Sequence, residues 1–377
     1  MRAQNERLVL TLIRQRGAMS KSEIARITGL SAQTVSVIMR SLEDEGLLLK
    51  GAPQRGKVGQ PSVPMRLNPE GAFFFGLKIG RRSVELILTD FLGSIVAHEK
   101  QVYPYPEFAS TLAFATSAVS KIEDTLTTKN AARIAGIGIA IPFRLWDWPR
   151  IAGFEADKME DWRSHNIQSE IAERVDFPVF LQNDATSACS AELVFGTQAL
   201  PANFLHFYVA TFIGGGVVLN GSLFPGPSGN AGAVGPMLVP DQKGQQHQLL
   251  DLASLVALEN MLVAADLDPS SLWTEPEEWK IPPTLRQEWI SQAGTSIARA
   301  AHAAVAVIDF EAICIDGWMP ALLRDGLIAQ IIRTFEDLNF TGLERPDVIA
   351  GTVGTDARAL GAASQPLLGR FLLPFTH

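Results

Sequence analysis

The chain has 377 residues, of which 47% are apolar and 19% charged, a composition typical of globular proteins. This length predicts two or three folded domains. No apolar run approaches the roughly 20 residues that cross a bilayer, and the first residues lack a secretory leader pattern. Cys189 and Cys314 are the only cysteines, so no disulfide framework is expected. We therefore expect a cytoplasmic protein.

The net charge of −8 is unevenly distributed along the chain. Residues 1–68 contain eleven Lys/Arg and five Asp/Glu, whereas the remainder contains 21 and 35. A basic N-terminal segment, here called the head, therefore precedes an acidic body. This pattern indicates that the head alone meets a polyanion.

The head has the pattern of a helix-turn-helix. A capping box at Ser20–Glu23 opens one short helix, and a turn at 28–30 contains Gly29. Ser31 can cap the next helix, in which Val35, Ile38, Met39 and Leu42 recur at helical spacing. Such a second helix enters the major groove of DNA. A helical hairpin that contacts only protein is the alternative.

The predicted DNA contacts lie on this helix and on a following wing. Gln33 could read a base edge, while Ser31, Thr34 and Arg40 suit phosphates. Two short strands at 47–49 and 63–67 flank a basic glycine-containing loop, in which Arg55 and Lys57 could enter a minor groove. The outward helix residues are Ala32, Gln33, Thr34, Ser36, Val37 and Arg40. The full predicted DNA-binding set is Ser31, Gln33, Thr34, Ser36, Arg40, Arg55, Lys57 and Gln60.

The body alternates strand-like and helix-like segments in two comparable sets. Three strands, a helix and a further strand come first, and a second such set follows, which predicts a duplicated α/β body with a cleft between two lobes. Turn residues at 68–71 mark the boundary. We predict a DNA-binding domain at 1–70 and a body at 71–377. Lobe one takes about 71–182 plus the tail at about 350–377, and lobe two takes about 183–349.

An ordered set of motifs resembles the ROK family of repressors, open reading frames and sugar kinases, in its regulator branch. The motifs are GxxGQPSVP at 56–64, GIGIAIP at 136–142, Trp162, Pro178-Val179, Asn183-Asp184-Ala185, Gly214–Gly216, Asn230-Ala231-Gly232 and the segment 351–363. The resemblance implies an α/β protein, with a winged helix-turn-helix followed by a two-lobed, actin-like (sugar-kinase or ribonuclease H-like) ATPase-type body.

The resemblance implies that Asp184 stands where family kinases have their general base, beside a hydroxyl-binding Asn183. A helix cap before the helix at 186–195 would explain the pair equally well. In the first phosphate loop, residues 78–82 (Lys-Ile-Gly-Arg-Arg) replace the family's D-x-G-G-T, and in the second loop Phe212 fills a glycine position. We therefore predict no catalytic residue and no ATP-dependent phosphotransfer. Asp184 would be a relic of the base.

The glycine run Gly214–Gly216 has two interpretations. Without side chains, its backbone N–H groups could approach a phosphate closely. A tight hairpin uses glycine for the same reason. With the phosphate loops degraded, we favour a hairpin near the hinge.

The family's metal and sugar ligands are also incomplete. Ala233 and Pro236 replace the Glu and His of G-E-x-G-H, and residues 241–248 contain no cysteine, so we predict no metal and no cofactor. The lost Glu also leaves a sugar site short of one acceptor. A later family Glu aligns on Leu250 or Asp251. The effector could therefore be an unusual sugar, another small molecule, or none. The predicted ligand-binding set is Asn183, Asp184, Gly215 and Asn230, while Trp146 and Trp148 could stack on a sugar or simply pack.

These observations predict a homodimeric or higher-order transcriptional repressor of a carbohydrate-related operon. It would bind double-stranded DNA and sense a sugar-like ligand without kinase activity. Two alternatives remain, an active sugar kinase with a DNA-binding head and a ligand-independent DNA-binding dimer.

Overall fold

The computed structural model describes residues 2–53, 63–143, 145, 159–274 and 277–373. Within these ranges the chain forms a small N-terminal head and two sheets flanked by helices. None of the described helices is long and apolar enough to cross a membrane.

The head is a three-helix unit with a two-stranded wing. Ser20 and Glu23 form the predicted capping box, and the Ser31 side chain accepts a hydrogen bond from the backbone N–H of Thr34. Gly29 ends the second helix with φ +69°, which confirms the predicted glycine turn. The wing loop 54–62, with Arg55, Lys57 and Gln60, lies outside the described residues. The elements are α1 (Arg2–Arg16), α2 (Lys21–Thr28), α3 (Ala32–Asp44), β1 (Leu48–Lys50) and β2 (Met65–Leu67).

The first lobe is a five-stranded sheet in the order β5-β4-β3-β6-β7. Its first three strands are antiparallel, and β6 and β7 extend it in parallel. The strands are β3 (Phe73–Ile79), β4 (Ser83–Thr89), β5 (Ile95–Val102), β6 (Ile134–Ile141) and β7 (Val179–Asn183). The helices are α4 (Phe108–Glu123), α5 (Thr128–Ala131), α6 (Asp161–Ser164) and α7 (Ile167–Ala172).

The second lobe repeats this plan in the order β10-β9-β8-β13-β14, which confirms the predicted duplicated α/β fold class. The main strands are β8 (Phe204–Val209), β9 (Gly214–Leu219), β10 (Ser222–Phe224), β13 (Ala312–Gly317) and β14 (Asp347–Ala350), and β11 (Leu238–Pro240) pairs with β12 (Gln246–Gln248). The helices that follow β7 along the chain are α8 (Asp184–Phe195), α9 (Leu249–Ala253), α10 (Leu255–Ala264), α11 (Ser271–Thr274), α12 (Pro283–Val305), α13 (Ala321–Asp337) and the C-terminal α14 (Ala357–Arg370).

The C-terminal helix α14 leaves the second lobe and packs between the first sheet and α8. Glycine permits both contacts. A Cβ on Gly138 of β6 would overlap the carbonyl oxygen of Ala362, and a Cβ on Gly361 would overlap the carbonyl oxygen of Ser187. The backbones therefore meet with no side chain between them, and α14 is fixed by atoms that cannot swing aside.

The glycine run of β9 allows this strand to pack closely on α8. A Cβ on Gly214 would lie 2.6 Å from Cβ of Ala185, and one on Gly216 would overlap Cβ of Cys189, so β9 presses directly on α8. The hairpin interpretation holds, since β9 pairs antiparallel with β8 and β10. Gly215 between these two glycines faces backbone, since its Cβ would lie 2.9 Å from the carbonyl oxygen of Gly232, as expected for glycine in such a hairpin.

The head is joined to the body by α1 and the end of α14. Arg7 of α1 donates to the carbonyls of Leu368 (2.8 Å) and Leu372 (2.9 Å), and the N–H of Leu373 donates to Thr11 Oγ1 at 3.0 Å. A shared apolar cluster spans this junction, with Phe371 among its buried members. The domain limits remain a prediction, but the head does not rest on a bare linker.

Replacing Gly361 by Ala should reduce the free energy of unfolding by about 3 kcal/mol, because the new methyl overlaps a backbone carbonyl of α8. Gly369→Ala is the matched control in the same helix. Its Cβ would meet Phe180 at 3.4 Å, an ordinary contact, and alanine favours the helix by about 1 kcal/mol. Urea unfolding followed by circular dichroism measures both. Equal stability of the two variants would show that α14 is not packed as described.

Candidate ligand cleft and DNA-binding face

A cavity of about 1010 Å³ lies between the two lobes. It brings together all four residues of the predicted ligand-binding set, Asn183, Asp184, Gly215 and Asn230. Ala233 and Pro236, which replace family ligands, line the same cavity, as does Leu250, one of the two residues on which the later family Glu aligns. Trp146 and Trp148 lie outside the described residues. The cleft therefore exists where the motif order placed it.

Asn183 and Asp184 start α8 at the cavity wall. Oδ1 of Asn183 accepts from the N–H groups of Ala185 (3.0 Å) and Thr186 (3.3 Å), and Oδ1 of Asp184 accepts from Ala185 at 2.9 Å. The helix-cap role considered for this pair is thus observed. These acceptor atoms are occupied before any ligand arrives.

The sequence interpretation missed Arg358. This arginine stands in the first turn of α14, and its Nη1 lies 3.5 Å from Oδ2 of Asp184. Its guanidinium also lies over the ring of Tyr208, 5.5 Å from the centroid. Burial raises the pKa of Asp184, and the Arg358 charge opposes that rise. A lone arginine among the small residues of ARALGAA was the available signal.

The first phosphate-loop position holds a buried ion pair. Nζ of Lys78 lies 2.9 Å from Oε1 of Glu85 and donates to Ser83 Oγ at 2.9 Å. Burial and the nearby Arg358 charge, opposed by Glu85, together lower the pKa of Lys78 to about 8. Where the family has an acid for metal and phosphate, this chain places a cation that is already paired.

The two lobes touch beside this loop. Arg82 of the first lobe forms a 2.5 Å ion pair with Glu259 of α10 and stacks over Trp273 at 4.6 Å. Lys78 and Lys100 lie over the ring of Trp318 at 5.8 and 5.4 Å. From the sequence, the bulk of Arg81 and Arg82 is expected to keep a phosphate from the backbone, and anion binding through their side chains is the alternative. The structure adds specific bridges across the mouth of the cleft.

The lost zinc motif is replaced by a turn. His247 of β12 lies 3.3 Å from Asp241 and is partly exposed. In the described part of the chain, no group of three or more His, Cys, Asp or Glu side chains is arranged to hold a metal ion.

The predicted DNA-contacting residues of α3 share its solvent side. Ser31, Gln33 and Arg40 are exposed, while Thr34 and Ser36 are half-buried. The Ser31 and Thr34 hydroxyls also bond each other at 2.8 Å. Val37, at 58% exposure, lies among them. The opposite face carries the buried Val35, Ile38, Met39 and Leu42.

Both parts of the chain match known protein families. A winged helix-turn-helix DNA-binding model matches residues 2–48, and a ROK family model matches residues 74–365. The chain belongs to the ROK family. This ROK protein therefore combines the family body with a DNA-binding head.

Several relatives are similar in sequence. The uncharacterized protein y4fQ of Sinorhizobium fredii is 28% identical, over 97% of this chain and 91% of its own length. The xylose repressor of Bacillus subtilis is 28% identical, over 62% of this chain and 60% of its own. The transcriptional dual regulator NagC of Escherichia coli is 27% identical, over 62% and 57%. The two regulators are thus matched over less than two thirds of their length.

Solved structures share the fold. A ROK family transcriptional regulator homologous to the E. coli MLC protein matches with a TM-score of 0.71 and 20% identity, over 98% of this chain and 96% of its own. A ROK glucokinase from Streptomyces griseus, in complex with glucose and AMPPNP, matches with a TM-score of 0.58 and 19% identity, over 78% and 98%.

The Asp184–Arg358 pair gives a stability prediction. Asp184→Asn leaves the charge of Arg358 buried without this partner. Arg358→Gln leaves the carboxylate of Asp184 buried without its partner. We expect each change to cost about 3 kcal/mol, and the double variant to cost less than the sum, because it leaves neither charge alone. Urea unfolding of the three variants measures this. Strictly additive losses would contradict the pairing.

Proposed function

We propose that this ROK protein is a sequence-specific DNA-binding repressor that senses a small carbohydrate-like ligand in the interlobe cleft and has no kinase activity. The observation that carries the proposal is α14. It places Arg358 in the cleft, and its end holds the head. One helix therefore connects the candidate ligand site with the candidate DNA-binding unit.

The structure of the head supports the DNA-binding part of the proposal. Gln33 and Arg40 are exposed on α3, in the position that a recognition helix offers to the major groove. Gln33 would read a base edge, and Arg40, Ser31, Thr34 and Ser36 would hold phosphates or neighbouring edges. The xylose repressor and NagC, which are similar over the body, are named as regulators.

The cleft chemistry supports a sensor rather than a phosphotransferase. A general base must accept a proton from the attacking hydroxyl, but Asp184 is engaged by Arg358 and by the N–H of Ala185. Lys78 is paired with Glu85 at the phosphate loop. The Arg82–Glu259 bridge joins the lobes beside that loop. Asp184, Lys78 and Arg82 thus each already have a partner within the protein, which supports the proposal of a sensor.

Sensing requires that the ligand favour one arrangement of lobes and head over another. A ligand that attracts Arg358 would compete with Asp184 for the start of α14. Because α14 is wedged between the first sheet and α8, it transmits displacement rather than bending. Its far end would carry the change to Arg7 and Thr11 of α1, and α1 packs on α3.

We further propose a homodimer or higher homo-oligomer on a palindromic operator. A pair of heads meets half-sites about one helical turn, roughly 34 Å, apart. A small shift of α1 in each protomer then changes the spacing of the two recognition helices. This geometry would convert ligand binding into release of DNA.

The proposed DNA binding is tested by footprinting on the promoter region of the protein's own gene. Gln33→Ala should reduce specific binding about 5- to 100-fold and relax base preference at one position. Arg40→Ala should weaken specific and random DNA alike and lower the salt slope by about one. Lys129→Ala, an exposed charge on the body, is the matched control. Normal binding by the Gln33 and Arg40 variants would refute this recognition surface.

The proposed absence of kinase activity is tested separately. The purified protein, mixed with Mg-ATP and hexoses, should release no ADP above the background of an Asp184→Asn preparation. Turnover that disappears in that variant would establish an active kinase with a DNA-binding head.

A further inference from the structure

We propose that the ligand of the cleft is an anionic carbohydrate derivative, a sugar acid or a sugar phosphate, rather than a neutral sugar. This inference rests on the proposed sensing function and names its ligand class. It follows from the charges, the donors and the acceptors that line the cavity.

The cavity is positively charged within an acidic body. Its described lining contains the guanidinium groups of Arg81, Arg163 and Arg358 and one carboxylate, that of Asp184. Arg163 lies 3.4 Å from Glu160 and Arg358 lies 3.5 Å from Asp184. Residues 69–377 as a whole carry an excess of 14 acidic residues. A cleft that concentrates charge of the opposite sign raises the local concentration of an anion.

The two strongest acceptors of the cavity wall, at the start of α8, already have partners. Sugar hydroxyls donate as well as accept hydrogen bonds, and carboxylate and amide oxygens are the strongest side-chain acceptors for them. Asp184 accepts from Ala185 and faces Arg358, and Oδ1 of Asn183 accepts two backbone N–H groups. Ala233 and Leu250 offer no side-chain acceptor on the opposite wall.

The lining is instead rich in donors, and one of them is buried without a partner. Arg358 is 9% exposed, and in the described part of the chain its Nε has no hydrogen-bond partner. A buried N–H left unpaired costs about 1–3 kcal/mol, so the Arg358 side chain would gain by reorienting toward an anion oxygen in the cavity. Carboxylate and phosphate match the planar guanidinium fork better than a hydroxyl does.

The rest of the cavity suits a sugar ring carrying that anion. Ser164, Asn166, Ser228 and Asn230 add small polar groups around the wall. The volume of about 1010 Å³ is at the upper end of small-ligand pockets and admits a mono- or disaccharide. An inorganic anion alone would leave most of this space unfilled.

Matched ligand triads test the proposal on the full-length protein. Thermal shift and calorimetry would compare each hexose of gluco, galacto and manno configuration with its uronic acid and its 6-phosphate. We expect an acid or a phosphate of at least one configuration to bind tenfold or more tightly than the parent hexose. Inorganic phosphate and acetate show whether an anion without a sugar binds equally well. Comparing the uronic acids with the 6-phosphates shows whether the ligand carries a carboxylate or a phosphate.

Arg81→Gln removes one lining cation without disturbing the Asp184–Arg358 pair. It should weaken the best anionic ligand about tenfold or more. Arg333→Gln, on the exposed side of α13, is the control and should leave affinity unchanged.

Three outcomes would overturn the proposal. They are a neutral hexose that binds as tightly as its anions, inorganic phosphate that binds as tightly as the sugar phosphates, and no binding by any anion of the panel. Footprinting of the same preparations distinguishes failure of this ligand proposal from failure of the proposed function. DNA binding would persist if only the ligand class were wrong.

Discussion

The structure depends on the backbone-to-backbone packing of α14. Gly138 and Gly361 allow this helix to lie against β6 and α8 with no side chain between them. The helix thus belongs to the first lobe, although the chain reaches it from the second. Its first turn lies in the cleft and its last turn holds α1. Two distant sites are therefore attached to one element that cannot flex without losing its packing.

Charge placement explains how a kinase-like frame could serve another purpose. Arg358 faces Asp184, Lys78 faces Glu85, and Arg82 bridges the lobes to Glu259. Paired groups do not move protons or organise a metal-bound phosphate as free groups would. These pairs support the proposal that the family fold here binds a ligand without turnover.

Much of this architecture could be predicted from the sequence because its signals are local. The capping box at Ser20, the turn at Gly29 and the apolar spacing of α3 depend on neighbouring residues. The cleft followed from the order of family motifs. Arg358 could not be assigned, since its partner Asp184 is 174 positions away and only the fold joins them. The packing of Gly214 on α8 could not be assigned for the same reason, because a glycine does not reveal which part of the chain approaches it.

The most direct test of the coupling through α14 is a double-mutant cycle in operator affinity. Arg358→Lys alters the cleft end and Arg7→Gln the head end, more than ten helical residues or roughly 15–20 Å apart. Sites that far apart normally add within about 0.5 kcal/mol. A coupling free energy of about 1 kcal/mol or more, a fivefold departure from additivity, is predicted. Additive effects would contradict the claim that α14 connects the ligand cleft with the DNA-binding head.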